Sequence, residues 1–129
     1  MMKPHILIVE DVVDYLRSLK GILDAEYEVS TASSLEEGKR LLTANISVLL
    51  TDIRLDETQL NNIDGILLAK WAKEKFPALE VVFMTAFDQQ EVLRDGNKLK
   101  DVPVLMKPLR LSILKRILKE LTNGPDSLR

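Results

Sequence analysis

Short uninterrupted apolar runs alternate along this chain with longer stretches whose apolar residues recur at helical spacing. His5-Ile6-Leu7-Ile8-Val9 predicts a buried strand. From Val12 to Leu23, Leu16, Leu19 and Leu23 with Ile22 beside them predict a helix. Tyr27–Ala32 predicts a second, weaker strand. Ser34 with Glu37 three residues on forms a capping box, opening a helix to about Thr43. Ile46–Thr51 predicts a third strand, and Ile66–Phe76 a helix that stops before Pro77. Leu79–Met84 predicts a fourth strand. A helix is expected from about Asp88 to Asp95, stopped by Gly96-Asn97. Val102–Met106 predicts a short fifth strand. The last helix, Leu109–Leu121, carries Ile113, Leu114, Ile117, Leu118 and Leu121 on one face and ends before Gly124-Pro125.

These segments make five strand–helix units in strict alternation. The strands are continuous apolar runs, which predicts a sheet covered on both faces. Right-handed crossovers then give a doubly wound parallel α/β sheet. No internal repeat or low-complexity tract interrupts it. Residues 1–122 are expected to form one domain, with 123–129 a C-terminal tail or the start of a linker.

Composition narrows the classes. The chain has 129 residues, 46% of them hydrophobic, enough for a sizeable core in a domain of ordinary size. A net charge of −2 gives no electrostatic reason to expect direct nucleic-acid binding. With no cysteine, disulfides and thiolate metal sites are excluded, and a reducing compartment suits the chain. The start, Met1-Met2-Lys3-Pro4-His5, has no long apolar region, and Ile6–Val9 is far too short for a signal peptide or membrane span. A cytoplasmic protein without membrane association is expected.

In an open parallel sheet the site lies outside the carboxyl ends of the strands. There the first strand delivers Glu10-Asp11, the third Asp52, the fourth Thr85-Ala86 and the fifth Lys107-Pro108. Three carboxylates packed together repel, a pair at about 4 Å by roughly 4 kcal/mol at an effective dielectric of about 20. Some would protonate unless a dication sat among them. Oxygen ligands without His or Cys favour a hard ion, Mg²⁺ or Mn²⁺, with positions left open for phosphate oxygens. Asp52 can then act as a carboxylate nucleophile forming an acyl phosphate. Lys107 can pair with a phosphate oxygen as a point charge, and Thr85 can hydrogen-bond another.

Glu10-Asp11, Asp52, Thr85-Ala86 and Lys107-Pro108, in this order at successive strand ends, resemble the signature of response-regulator receiver domains over essentially the whole chain. The resemblance implies a flavodoxin-like (βα)5 fold with strand order 2-1-3-4-5. It implies Asp52 as phosphoacceptor, with Mg²⁺ on Asp11, Asp52 and the main-chain carbonyl of Arg54, and Glu10 acting on the metal through water. It makes Thr85 the switch hydroxyl, Lys107 the phosphate-binding lysine and Lys107-Pro108 a cis peptide. The implied donor is a sensor histidine kinase or histidine phosphotransfer protein. The region of the family's fourth helix, fifth strand and fifth helix is the implied output or homodimer surface. Self-phosphorylation and autodephosphorylation at Asp52 would be Mg²⁺-dependent, without making the domain an enzyme in the ordinary sense.

Two features depart from the family pattern. Gly65 follows Asp52 by 13 residues, a longer interval than usual, and the Leu55–Asn62 loop lacks the usual proline. The switch aromatic normally lies three residues before the lysine, where this chain has Val104.

Blander readings apply elsewhere. His5, the only histidine, is expected at a strand start on the surface or an edge, Trp71 in packing, and Arg110, Lys115, Arg116 and Lys119 on a solvated helix face. A haloacid-dehalogenase-type phosphatase would need Asp at position 54, which is Arg. A flavin carrier would need a Ser/Thr/Gly-rich loop where Glu10-Asp11-Val12-Val13 stands. The alternative that stays open is a phosphorylation-independent receiver-like interaction module.

Overall fold

In the computed structural model, which describes residues 3–86 and 101–123, five parallel strands form one sheet in the order β2-β1-β3-β4-β5. The strands are β1 (His5–Val9), β2 (Glu28–Ala32), β3 (Ile46–Asp52), β4 (Glu80–Thr85) and β5 (Val104–Met106). Four helices lie among the described residues: α1 (Val13–Leu23), α2 (Leu35–Leu41), α3 (Asp64–Lys75) and α4 (Leu111–Asn123). This is the flavodoxin-like doubly wound sheet. The helix expected at Asp88–Asp95 and the tail beyond Asn123 lie outside the described residues.

Alternation along the central strands sorts their side chains into two cores. Ile6, Ile8, Val48, Leu50, Val82 and Met84 face one side, where Leu16, Leu19 and Leu23 of α1 and Leu114 and Leu118 of α4 cover them. Leu7, Val9, Leu49, Val81 and Phe83 face the other, under Ile66, Leu68, Ala69 and Ala72 of α3. Continuous apolar runs are therefore the mark of the three central strands. The edge strands differ: β2 buries only Ala32 fully, and Val104 and Met106 of β5 stay exposed.

Several boundaries move from the pattern-based expectation for local reasons. Tyr27 is not in β2, because its N–H donates to Leu23 O and closes α1. The fifth strand starts at Val104, not Val102, since Pro103 has no N–H to give the ladder. α3 begins at Asp64, two residues early, because Asn62 Oδ1 accepts from the Asp64 N–H at 3.0 Å. α2 ends at Leu41 rather than Thr43. The capping box forms at Ser34, whose hydroxyl accepts from Glu37 N–H, while Glu37 Oε1 accepts from Ser33 N–H rather than from Ser34 itself. α4 starts at Leu111, with Arg110 O receiving the first helical N–H groups.

His5 sits at the start of β1, hydrogen-bonded to Ser30 Oγ on the edge strand. Trp71 packs on the α3-side core beneath the ammonium groups of Lys39 and Lys75. Among the described residues no helix is long and apolar enough to cross a membrane.

Candidate functional site

The carboxyl ends of four strands deliver chemistry to one rim of the sheet. β1 hands over to Glu10 and Asp11, β3 ends on Asp52, β4 on Thr85, and β5 leads into Lys107. One carboxylate oxygen from each of Glu10, Asp11 and Asp52 lies within 4.8 Å of the other two. Glu10 is fully buried and Asp52 nearly so. Lys107 brings an ammonium to the cluster: its Nζ donates to Asp52 Oδ2 at 2.7 Å and also to Glu10 Oε1. The Lys107-Pro108 peptide is cis. The Lys107 backbone N–H donates to Thr85 O at 2.8 Å, which ties the end of β5 to the end of β4.

Burial and crowding set the charges. Burial first, and then the neighbouring Asp52 charge, push the Glu10 carboxyl up to about 8. The Lys107 ammonium pulls the other way, and a hydrogen bond with Asp11 further favours the protonated acid. Burial disfavours the Lys107 ammonium, but its hydrogen bonds to Asp52 and Glu10 outweigh that and raise its pKa. The Lys107 ammonium thus bridges Asp52 and Glu10, and Asp11 stands beside them. Asp11 Oδ1 and Asp52 Oδ1 are buried with no hydrogen-bond partner among the described residues. Unsatisfied buried carboxylate oxygens are costly, and an all-oxygen donor set in negative excess is what a small hard dication needs. The residues present fit such an ion.

Thr85 and Arg54 are placed more loosely. The Thr85 hydroxyl is buried at the end of β4 and donates to Ala86 O at 3.0 Å, so it faces its own backbone rather than a carboxylate. Arg54 lies half-buried in the irregular segment leaving β3. Val104, at the expected switch-aromatic position, is exposed on β5.

Three contacts at the site go beyond the sequence-based expectation. Tyr15 of α1 lies beneath the lysine, with its ring centroid 4.9 Å from Lys107 Nζ. Glu57, in the long loop after β3, donates its backbone N–H to Asp11 Oδ2 at 3.2 Å. Gly65 packs against the phosphoacceptor candidate's own backbone: a Cβ there would stand 1.7 Å from Asp52 O. Its N–H donates to Ile53 O at 2.9 Å, so α3 docks directly onto the segment that carries Asp52. A glycine opening a helix soon after the strand-end aspartate is the signal that could have found the last of these.

Comparison with known proteins agrees with this geometry. The family model described as response regulator receiver domain matches residues 6–119. The response regulator receiver protein CpdR of Brucella abortus is 38% identical over 112 residues, covering 83% of this chain and 87% of that protein. The transcriptional regulatory protein ZraR of Salmonella typhimurium is 29% identical over 119 residues; the match covers 92% of this chain but only 26% of ZraR. A crystal structure of a response regulator receiver domain protein from Clostridium thermocellum superposes with a TM-score of 0.80 at 25% identity, covering 98% of this chain and 99% of that one.

Proposed function

The chain belongs to the response regulator receiver domains of two-component systems, and from that premise we propose that it is switched by a phosphoryl group accepted on Asp52. The family is a signalling domain rather than a classical enzyme. The observation that carries the reading is the Lys107 ammonium on Asp52 Oδ2, with the second oxygen of Asp52 and one oxygen of neighbouring Asp11 buried and unpartnered among the described residues.

A carboxylate oxygen of Asp52 attacks the phosphorus of a phosphohistidine on a sensor kinase or phosphotransfer protein. An O–P bond forms as the P–N bond breaks, and the leaving imidazole keeps the electron pair and takes up a proton. Asp11 and Asp52, with the Arg54 carbonyl and Glu10 behind them, would hold Mg²⁺ or Mn²⁺, which supplies charge neutralisation for the phosphoryl oxygens. Lys107 moves its hydrogen bond from the carboxylate to a phosphoryl oxygen. The Thr85 hydroxyl leaves Ala86 O for another. Because Lys107 N–H is bonded to Thr85 O, both strand ends respond together and shift a two-state equilibrium. Attack of water on phosphorus later breaks the O–P bond and restores Asp52. Exposed Val104, Met106 and Leu111 on β5 and α4 support a protein-contact surface there, a homodimer included. The reading has the domain act in the cytoplasm, without itself contacting nucleic acid.

A phosphorylation-independent interaction module is the second reading, favoured by Val104 where the family's switch carries a ring. Intact-protein mass after incubation with acetyl phosphate separates the two. The switch reading expects one added phosphoryl group with Mg²⁺, absent without Mg²⁺ and absent in Asp52→Asn. No gain from acetyl phosphate or from a kinase would favour the module.

A further inference from the structure

We propose that the Leu55–Asn62 loop is a positioning element for the metal site, acting through the backbone N–H of Glu57 on Asp11. The inference rests on the metal-site reading above and deepens it.

Asp11 and Glu57 are 46 residues apart, and the loop folds back to join them. The bond divides the two Asp11 oxygens: Oδ2 accepts from Glu57 N–H at 3.2 Å, whereas Oδ1 is buried with no hydrogen-bond partner among the described residues. One oxygen is thereby held and the other left for an ion. A carboxylate fixed in this way presents a single donor in one direction, the requirement of a cation that demands near-ideal octahedral geometry.

The donor is presented by a loop that braces itself. Gln59 N–H donates to Asp56 O, closing a turn with Glu57 at its second position. Asp56 Oδ1 accepts from both the N–H and the hydroxyl of Thr58, at 3.0 and 2.6 Å. Asn62 Oδ1 accepts from Leu55 N–H and Asp64 N–H, both at 3.0 Å, pinning the two ends of the loop together where α3 begins. Leu55 is buried and anchors the near end. The added residues after Asp52 thus give Asp11 a fixed backbone donor.

The turn supplies a clean perturbation. Proline is favoured at the second position of such a turn and lacks the N–H. Glu57→Pro therefore deletes the donor while keeping the turn. Glu57→Gln removes the same charge and keeps the donor. Calorimetric titration with MgCl₂ and, separately, CaCl₂, with no phosphoryl donor present, reads the effect.

Glu57→Pro is expected to weaken Mg²⁺ binding by about 10- to 100-fold. Ca²⁺, which tolerates irregular geometry, should lose less, and Glu57→Gln should stay within about twofold of the unaltered protein. Asn62→Ala, which unpins the loop without touching the turn, should shift Mg²⁺ affinity in the same direction and decides the matter if Glu57→Pro does not fold. Equal Mg²⁺ affinity in Glu57→Pro and Glu57→Gln, with the unaltered protein binding normally, would overturn the inference and leave the metal site standing. No Mg²⁺ binding by the unaltered protein would overturn the metal-site reading and this inference with it.

Discussion

Stripped of metal, the protein should lose stability as pH rises from about 5.5 to 7.5, the opposite of what ion-paired carboxylates usually give. The cause is Glu10, whose carboxyl is raised from 4.5 to about 8 by burial and then by Asp52. A folded-state value above the unfolded one means that the folded protein binds the extra proton. The associated stability is fully present below about 4.5 and is lost as pH rises through about 8. Within that window each pH unit costs about 1.4 kcal/mol. The step from pH 5.5 to 7.5 should therefore remove about 3 kcal/mol, or roughly 10 °C of Tm in a domain of this size. The raised pKa of Lys107 acts above the ordinary lysine value, outside this window. Urea unfolding in EDTA at the two pH values reads the slope. Glu10→Gln should flatten it, and so should saturating Mg²⁺, since an ion among the carboxylates replaces the proton. Metal-free stability that is flat or rising over this range would refute the claim that Glu10 is held protonated by its surroundings.

Gly65→Ala should cost more than about 3 kcal/mol in urea unfolding, because its Cβ would stand 1.7 Å from Asp52 O and backbone must move to admit it; a loss under about 1 kcal/mol would contradict the close approach. Tyr15→Leu should lower stability by about 1 kcal/mol beyond its packing loss, seen as coupling with Lys107→Met in a double-mutant cycle, with Tyr15→Phe nearly neutral. Lys107→Ala should still be phosphorylated by acetyl phosphate, but should lose the phosphorylation-dependent change in hydrogen exchange at residues 104–106. An unchanged response there would count against coupling through Lys107.

What the sequence made legible follows from where the information sits. His5–Val9 was readable to the residue because Ile6–Val9, buried on both faces of the sheet, is an unbroken apolar run. Val102–Met106 was read too long because Pro103 ends the ladder by a missing N–H, which hydrophobic pattern does not register. Asp52, Glu10, Asp11 and Lys107 were legible because strand ends in a parallel sheet converge whatever the loops do, and the structure brings all four together. The direction of the Thr85 hydroxyl was not legible, since its bond to Ala86 O is a rotamer choice. The Glu57 contact was hidden for a deeper reason: the group that touches Asp11 is a backbone amide, which every residue type except proline carries. Tyr15 read as one more residue of a helix, and its place beneath Lys107 depends on a side chain reaching back from beyond the end of β5.

The central claim is that Asp52 carries the phosphoryl group, and reductive mapping tests it most directly. The phosphorylated protein is treated with borodeuteride, which converts an aspartyl phosphate to homoserine, and its peptides are sequenced by mass. Deuterated homoserine at position 52, lost when Mg²⁺ is withheld during phosphorylation, is the result the account predicts. The label at Asp11 or another carboxylate, with Asp52 unmodified, would contradict it.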